Sequence, residues 1–251
     1  MKSKVQAIII DSMNLGEADK LVTFFSRERG RLQGTARNAR KSFKRFGAGL
    51  ELFTHAGLQL FEREHQELVR IESADIMFQP IEINSDLRRM STGSVMLELV
   101  KEFAPPGERS IPVFHLLADT LRILNESDAP HFLLRIFEIK LLSLLGYQPR
   151  LDHCLSCGGS AKRQMIFLTM KGGVLCPDCM VSSGGDQVRL SSGAIGFYYQ
   201  VLRMDLSKIS RLKPSVEIME ELDSAFAAHT FHILGKRLRT MAFLNHCKMI
   251  T

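Results

Sequence analysis

The chain has 251 residues, 45% of them apolar and 24% charged, with a mean hydropathy of zero. That balance excludes collagen-like, low-complexity and wholly disordered chains, and the length suffices for one large or two ordinary domains. The formal charge is +6, from 33 Lys and Arg against 27 Asp and Glu, but it is concentrated. Between positions 20 and 45 stand Lys20, Arg27, Arg29, Arg31, Arg37, Arg40, Lys41, Lys44 and Arg45, opposed only by Glu28, so this window carries +8 and the rest sums to −2. Such a local excess is the footprint of polyanion binding; a solvated loop, charged for solubility, is the plainer alternative. No apolar run approaches the ~18 residues of a membrane helix. The richest stretch, 132–146, is interrupted by Arg135, Glu138 and Lys140. No small-residue cleavage site follows the apolar run ending at Asp11, so a cytoplasmic location with no membrane partner is expected.

The first 80 residues predict strands. Val5–Ile10 and Leu21–Phe25 are apolar runs of strand length, and Arg31–Arg37 alternates, with Leu32, Gly34 and Ala36 on one side. Leu58 and Leu60 mark a fourth strand and Leu68–Phe78 a fifth, which predicts a small closed barrel or sandwich. Composition changes near Pro80. Leu87, Met90, Val95, Leu99 and Phe103 then follow helical spacing, with Asn84 or Ser85 available as N-cap. Leu117, Leu121 and Leu124 mark a second helix, and Phe132–Leu145 a third, apolar nearly all round and therefore central, ending at Gly146. Two further helices are predicted at Ser191 to about Leu206 and at about Ser215 to Leu244.

Cys154-x-x-Cys157 and Cys176-x-x-Cys179 match the spacing of a four-thiolate zinc site, with a hairpin predicted between them at Ile166–Thr169 and Val174–Leu175. Disulfides fit poorly with a cytoplasmic chain, and a redox Cys-x-x-Cys belongs on one helix after a strand. Four thiolates fill a tetrahedral ion, so one structural zinc per chain is expected, with no open position for activated water. Cys247 has no partner by spacing and reads as a buried thiol. No phosphate loop, dinucleotide fingerprint, zinc-protease helix or nucleophile elbow is present. Glu62, Glu64 and His65 read as alternating strand positions rather than an acid–base site. The expectation is a protein that is not an enzyme.

Three stretches carry a family resemblance. LGEADKLVTFFSRERGRLQGTARNARKSFKR at 15–45 resembles the second and third strands and basic loop of the RecO family of bacterial recombination mediators. RIFEIKLLSLLGYQPRLDHCLSCGG at 135–159 resembles that family's Arg-x-Phe-Glu helix, Leu-Gly-Tyr turn and first zinc knuckle, and CPDC at 176–179 resembles the second knuckle. Asn38 stands where the family usually has Gly, and Lys44 replaces a common Ser; Asn tolerates the left-handed conformation that such a turn needs.

The resemblance implies an α+β protein: a five-stranded OB-fold barrel at 1–80, then a helical domain at 81–251 with a four-Cys zinc finger inserted at about 151–182. It implies a mediator of DNA repair and recombination, nucleoid-associated and acting in the RecF pathway. Such a protein binds single- and double-stranded DNA, anneals complementary strands and, with RecR and the acidic C-terminal tail of single-stranded DNA-binding protein, promotes RecA loading. Arg37, Arg40, Lys41, Lys44 and Arg45 match the DNA-binding loop, with Arg27 and Arg31 adding to it. Phe43 and Phe46 within the run can stack on bases or pack under the barrel. Arg135 is the candidate cation for the partner tail, and an internal ion pair with Glu138 is the competing reading. A zinc-ribbon factor of transcription or RNA metabolism is the alternative from another class.

Overall fold

The computed structural model describes residues 1–62, 68–161, 163–180 and 187–249. Glu64, His65, the expected end of the insert at about 182 and the side chain of Cys247 lie outside what is described. Two compact units emerge, residues 1–130 with 240–251, and residues 131–239.

The first unit is built on β1 (Lys2–Leu15), β2 (Asp19–Ser26), β3 (Gly30–Ala36), β4 (His55–Phe61) and β5 (Val69–Phe78). They close in the order β1-β2-β3-β5-β4, every pair antiparallel except β3 with β5. This five-stranded closed barrel fits an OB-fold. Alternate residues of the strands fill it: Val5, Ala7 and Ile9, Val22 and Phe24, Leu58 and Leu60, and Val69 and Ile71 share one core. At Gly34 the parallel partner comes so near that a Cβ would lie 2.7 Å from the Val69 carbonyl oxygen, so only glycine lets β3 and β5 meet there.

Ile8, Ile10 and Phe25, on the opposite faces of their strands, are buried as well. Burial on both faces is why residues 7–10 are apolar without a break. Composition shifts near Pro80, yet α2 (Ile81–Ser85), α3 (Leu87–Phe103) and α4 (Ile111–Glu126) belong to the barrel's compact unit. A bulge between Ile9 and Asp11 interrupts the pairing of β1, and Lys101 of α3 meets the Asp11 carboxylate at 2.6 Å. The N-cap of α3 is neither Asn84 nor Ser85, which lie in α2. Asp86 takes that role, accepting from the Arg88 and Arg89 N–H groups at 2.8 and 3.0 Å.

Behind β4 the His55 ring is 6% exposed, edge-on to Phe114 at 5.4 Å, with no partner for either nitrogen among the described residues. Burial, together with the positive charges of Arg122 and His115, lowers its pKa to about 4. Between pH 6.5 and 4 the unfolded chain therefore takes up a proton that the folded chain refuses. Stability should fall as pH drops through that window, by up to ~3 kcal/mol. Urea midpoints at pH 7, 5.5 and 4 check this. His55→Gln should flatten the decline, and an equally steep decline in that variant would assign it to other groups.

The second unit contains α5 (Pro130–Leu144), apolar nearly all round and buried as its sequence predicts. The same unit holds a four-stranded sheet in the order β6-β8-β7-β9, formed by β6 (Arg150–Cys154), β7 (Gln164–Leu168), β8 (Gly173–Leu175) and β9 (Gln187–Ser191). The β7–β8 hairpin is the one predicted between the cysteine pairs; β6 and β9 extend it on either side. α6 (Ser192–Arg203) starts at the Ser191 cap, whose hydroxyl accepts from the Ala194 N–H at 3.1 Å. The long final helix predicted from about 215 to 244 is two helices, α7 (Val216–Leu234) in this unit and α8 (Arg239–Met249), which from Thr240 belongs to the barrel's compact unit. Gly235 ends the first at φ 66, a C-terminal glycine hidden inside an otherwise helical pattern.

Candidate nucleic-acid interface and metal centre

The basic window is split by the β2–β3 ribbon. Arg37, Arg40, Lys41, Lys44 and Arg45 leave the end of β3, next to Lys20 at the start of β2. Arg27, Arg29 and Arg31 sit at the connecting turn, seven strand residues and therefore roughly 20 Å away. At that far end, among the described residues, only Arg29 is neutralised by a carboxylate. Arg29 pairs with Glu62, and the Arg31 Nε donates to the Ala104 carbonyl at 3.1 Å. Arg27 is half-buried.

The loop at the near end is held by its backbone. Asn38 adopts φ 54, so the left-handed turn survives without glycine, and its N–H donates to Asp19 at 2.8 Å. The Arg40 N–H donates to the Ala18 carbonyl and its guanidinium to the Glu17 carbonyl, both at 3.0 Å. The Arg45 guanidinium lies 4.8 Å over the Phe46 ring and donates to the Arg37 carbonyl at 2.7 Å. Phe46 belongs to the barrel core at 2% exposed, whereas Phe43 stands 87% exposed, both in the short helix α1 (Phe43–Phe46). Among the described residues no carboxylate forms an ion pair with Arg37, Arg40, Lys41, Lys44 or Arg45. Lys20 pairs with Glu51 at 2.6 Å and so neutralises the one carboxylate lining the cleft of about 370 Å³ beside the loop. The result is a fixed, unneutralised cationic surface that can take up phosphates.

The four expected cysteines converge. Cys154 ends β6, Cys157 lies in the turn beyond, Cys176 follows β8 and Cys179 closes a short turn at Pro177–Cys179. Their sulfurs all lie within 4.8 Å of one another, with Cys157 and Cys176 at 3.9 Å. A tetrahedral ion with ~2.3 Å bonds sets its sulfurs about 3.8 Å apart, so the cluster fits a metal such as zinc. Backbone N–H groups of Cys157, Cys176 and Ser156 bring the Cys154 thiol down to about 6, against the cost of its burial. Cys179 is pushed up to about 12 by hydrogen bonds to the sulfurs of Cys176 and Cys157. Four thiolates this close repel one another, so without a cation among them some of the sulfurs keep their protons.

Arg135 is 3% exposed. Its Nη1 donates to Glu138, and its Nε and Nη2 donate to Asp223 on α7 at 2.9 and 2.7 Å. The His131 ring meets the same Asp223 at 2.8 Å, and the Thr230 hydroxyl donates to Glu138 at 2.6 Å. The internal pair with Glu138 is thus formed. Burial alone raises the Asp223 carboxyl, but the His131 hydrogen bond and the Arg135 charge outweigh it and hold it at about 2. Asp223 could not be foreseen: it is 88 residues away, and only the packing of α7 on α5 brings it near.

Among the described residues no helix is long and apolar enough to cross a membrane. A family model described as the N-terminal part of recombination protein O matches residues 1–79, and one described as its C-terminal part matches residues 84–242. The chain is 35% identical over 246 residues to the DNA repair protein RecO of Symbiobacterium thermophilum, covering 96% of each. It is 32% identical over 245 residues to that of an Anaeromyxobacter species, covering 96% of this chain and 95% of the relative. With both family models in register over barrel and helices, the chain belongs to the recombination protein O (RecO) family.

Proposed function

We propose that this protein is a non-enzymatic mediator of DNA repair and recombination that binds single- and double-stranded DNA and anneals complementary strands. RecR and single-stranded DNA-binding protein are its proposed partners, and RecA loading on the exposed strand is the outcome. The observation that carries this reading is the surface of Arg37, Arg40, Lys41, Lys44 and Arg45 on an OB-like barrel, unneutralised and fixed by its own backbone bonds. Its chemistry is association. Cations release the counterions of two strands and lower the repulsion between them, so that bases can meet. OB-folds bind oligonucleotides across the face of their second and third strands. A strand laid along β2 and β3 would run from the loop toward Arg27 and Arg31, the latter placed by its Nε bond to Ala104.

Cys154, Cys157, Cys176 and Cys179 would hold one zinc, which supplies a tetrahedral tie between the two knuckles. The acidic partner tail belongs to the same proposal. Arg135 would reach its carboxylate only by giving up Glu138 or Asp223.

Five phosphate contacts on a single strand correspond to a log–log salt slope of about −3.5, at ~0.7 per phosphate. Arg40→Glu with Lys41→Glu should weaken binding roughly 10- to 100-fold at low salt, equally across sequences, and flatten the slope to about −2. Affinities titrated from low to moderate salt check this. Unchanged affinity would remove the loop from the DNA site.

A further inference from the structure

The cationic loop carries one feature that phosphate binding does not use. Phe43 is 87% exposed, and it is the only exposed aromatic ring among the described residues of the barrel. An apolar ring in water gains nothing for the fold, and Phe46, three residues on, already fills the core beneath. The backbone that carries the ring is held in place: the Gly47 N–H donates to the Phe43 carbonyl at 2.8 Å, and the Arg45 N–H and guanidinium both donate to Ser42. Phe43 forms one wall of the cleft whose other walls include Lys20, Arg40, Lys41 and Gly47. Lys44, next in sequence, is exposed.

An exposed ring bordered by cations at the edge of a cleft can take an unstacked nucleobase while the cations take its phosphates. A duplex offers its phosphates to the same cations but keeps its base faces stacked. We propose that Phe43 is the base-stacking platform of this loop and the residue that makes it prefer a single strand over a duplex. The proposal rests on the DNA-binding reading above and adds the feature of the ligand that the loop distinguishes. The ring contributes contact area without charge, so its effect is on affinity and strand preference and not on salt dependence.

The test uses the full-length protein with a single-stranded oligonucleotide and the duplex of the same length. Phe43→Leu keeps the apolar bulk and removes the π face. It should lose about tenfold in single-strand affinity, with duplex affinity and both salt slopes unchanged. The chain contains no tryptophan, so Phe43→Trp introduces a sole indole reporter. That variant should bind single strands at least as tightly as the parent, with its emission quenched by the single strand and not by the duplex. Equal loss of both affinities in Phe43→Leu, or an indole indifferent to the single strand, would overturn the stacking role while leaving the cationic site standing. A parent protein that binds neither ligand would overturn both readings together. Arg40→Glu with Lys41→Glu must change the slope that Phe43→Leu leaves alone, which separates the phosphate contact from the stack.

Discussion

Arg135→Ala is expected to destabilise the second compact unit by about 3–5 kcal/mol, because it leaves the buried Glu138 carboxylate without its cation and removes one of the partners of Asp223. Glu138 has 8% of its side chain exposed and Asp223 28%, and Arg135 joins them across α5 and α7. Arg135→Lys should recover only part of the loss, since an ammonium cannot reproduce the guanidinium's simultaneous contacts with both. Arg135→Met with Glu138→Leu should be milder than Arg135→Ala alone. It removes opposite charges together, and Asp223 keeps His131. The pH profile supplies a second readout. The Asp223 carboxyl is held at about 2, below the ordinary 3.8, so it adds stability that is complete above pH 4 and is lost as pH falls toward 2. That acid limb should shrink in Arg135→Ala. Denaturant unfolding at pH 7 and pH 3 measures both effects, and a neutral substitution would mean that the pair contributes nothing to the fold. A tail-binding role has its own signature, loss of acidic-peptide affinity in Arg135→Lys at temperatures where that variant remains folded.

What could be read from the sequence divides along physical lines. Alternation is local and survives into the barrel: Leu32, Gly34 and Ala36 do face the interior of β3. The Cys-x-x-Cys pairs were legible for the same reason, since short knuckles fix their own geometry. Closure of β3 on β5 and the cover over Ile8 and Phe25 depend on partners distant in the chain, and no periodicity reports them. Helical apolar spacing continues without reporting a stop, so a single helix is expected from about Ser215 to Leu244, yet it breaks at Gly235. Its φ of 66 is the C-terminal position that stops α7.

The candidate interface shows the same limit. Charge counting finds an excess of cations in a window, but it cannot see that β2 and β3 carry those cations to opposite ends of a ribbon. The seven residues of strand between Gly30 and Ala36 separate Arg29, which pairs with Glu62, from Arg37, which has no such partner among the described residues. The same holds for the aromatics. Phe43 and Phe46 are equivalent in composition, yet one turn of helix points one at the core and leaves the other in water. The proposed DNA surface therefore comes down to a handful of positions that folding selects from a longer basic run.

Removing the metal should have the largest effect on the second unit. Protein purified without chelator should carry about one zinc per chain, and Cys176→Ser should reduce that content sharply. A structural zinc binds zinc-finger peptides with an apparent free energy of about 10–16 kcal/mol, much of it folding free energy. The sheet here is small: β8 is three residues long, and Cys176 and Cys154 tie its end to β6. Without the ion, the adjacent thiols would compete for protons, and the hairpin would depend on Met165 and Phe167 in the core beneath β7. A net loss of only 3 kcal/mol would lower the melting temperature of a unit this size by roughly 10–20 °C. Chelator treatment of the parent should give a similar shift, reversed by added zinc, and metal release should steepen at acid pH as the thiolates protonate. DNA affinity of Cys176→Ser below its melting transition should match the parent, because the cationic loop belongs to the other compact unit. Absence of zinc in freshly purified protein would refute the assignment of these four cysteines. Zinc present at one per chain with no change in melting on its removal would refute its structural role.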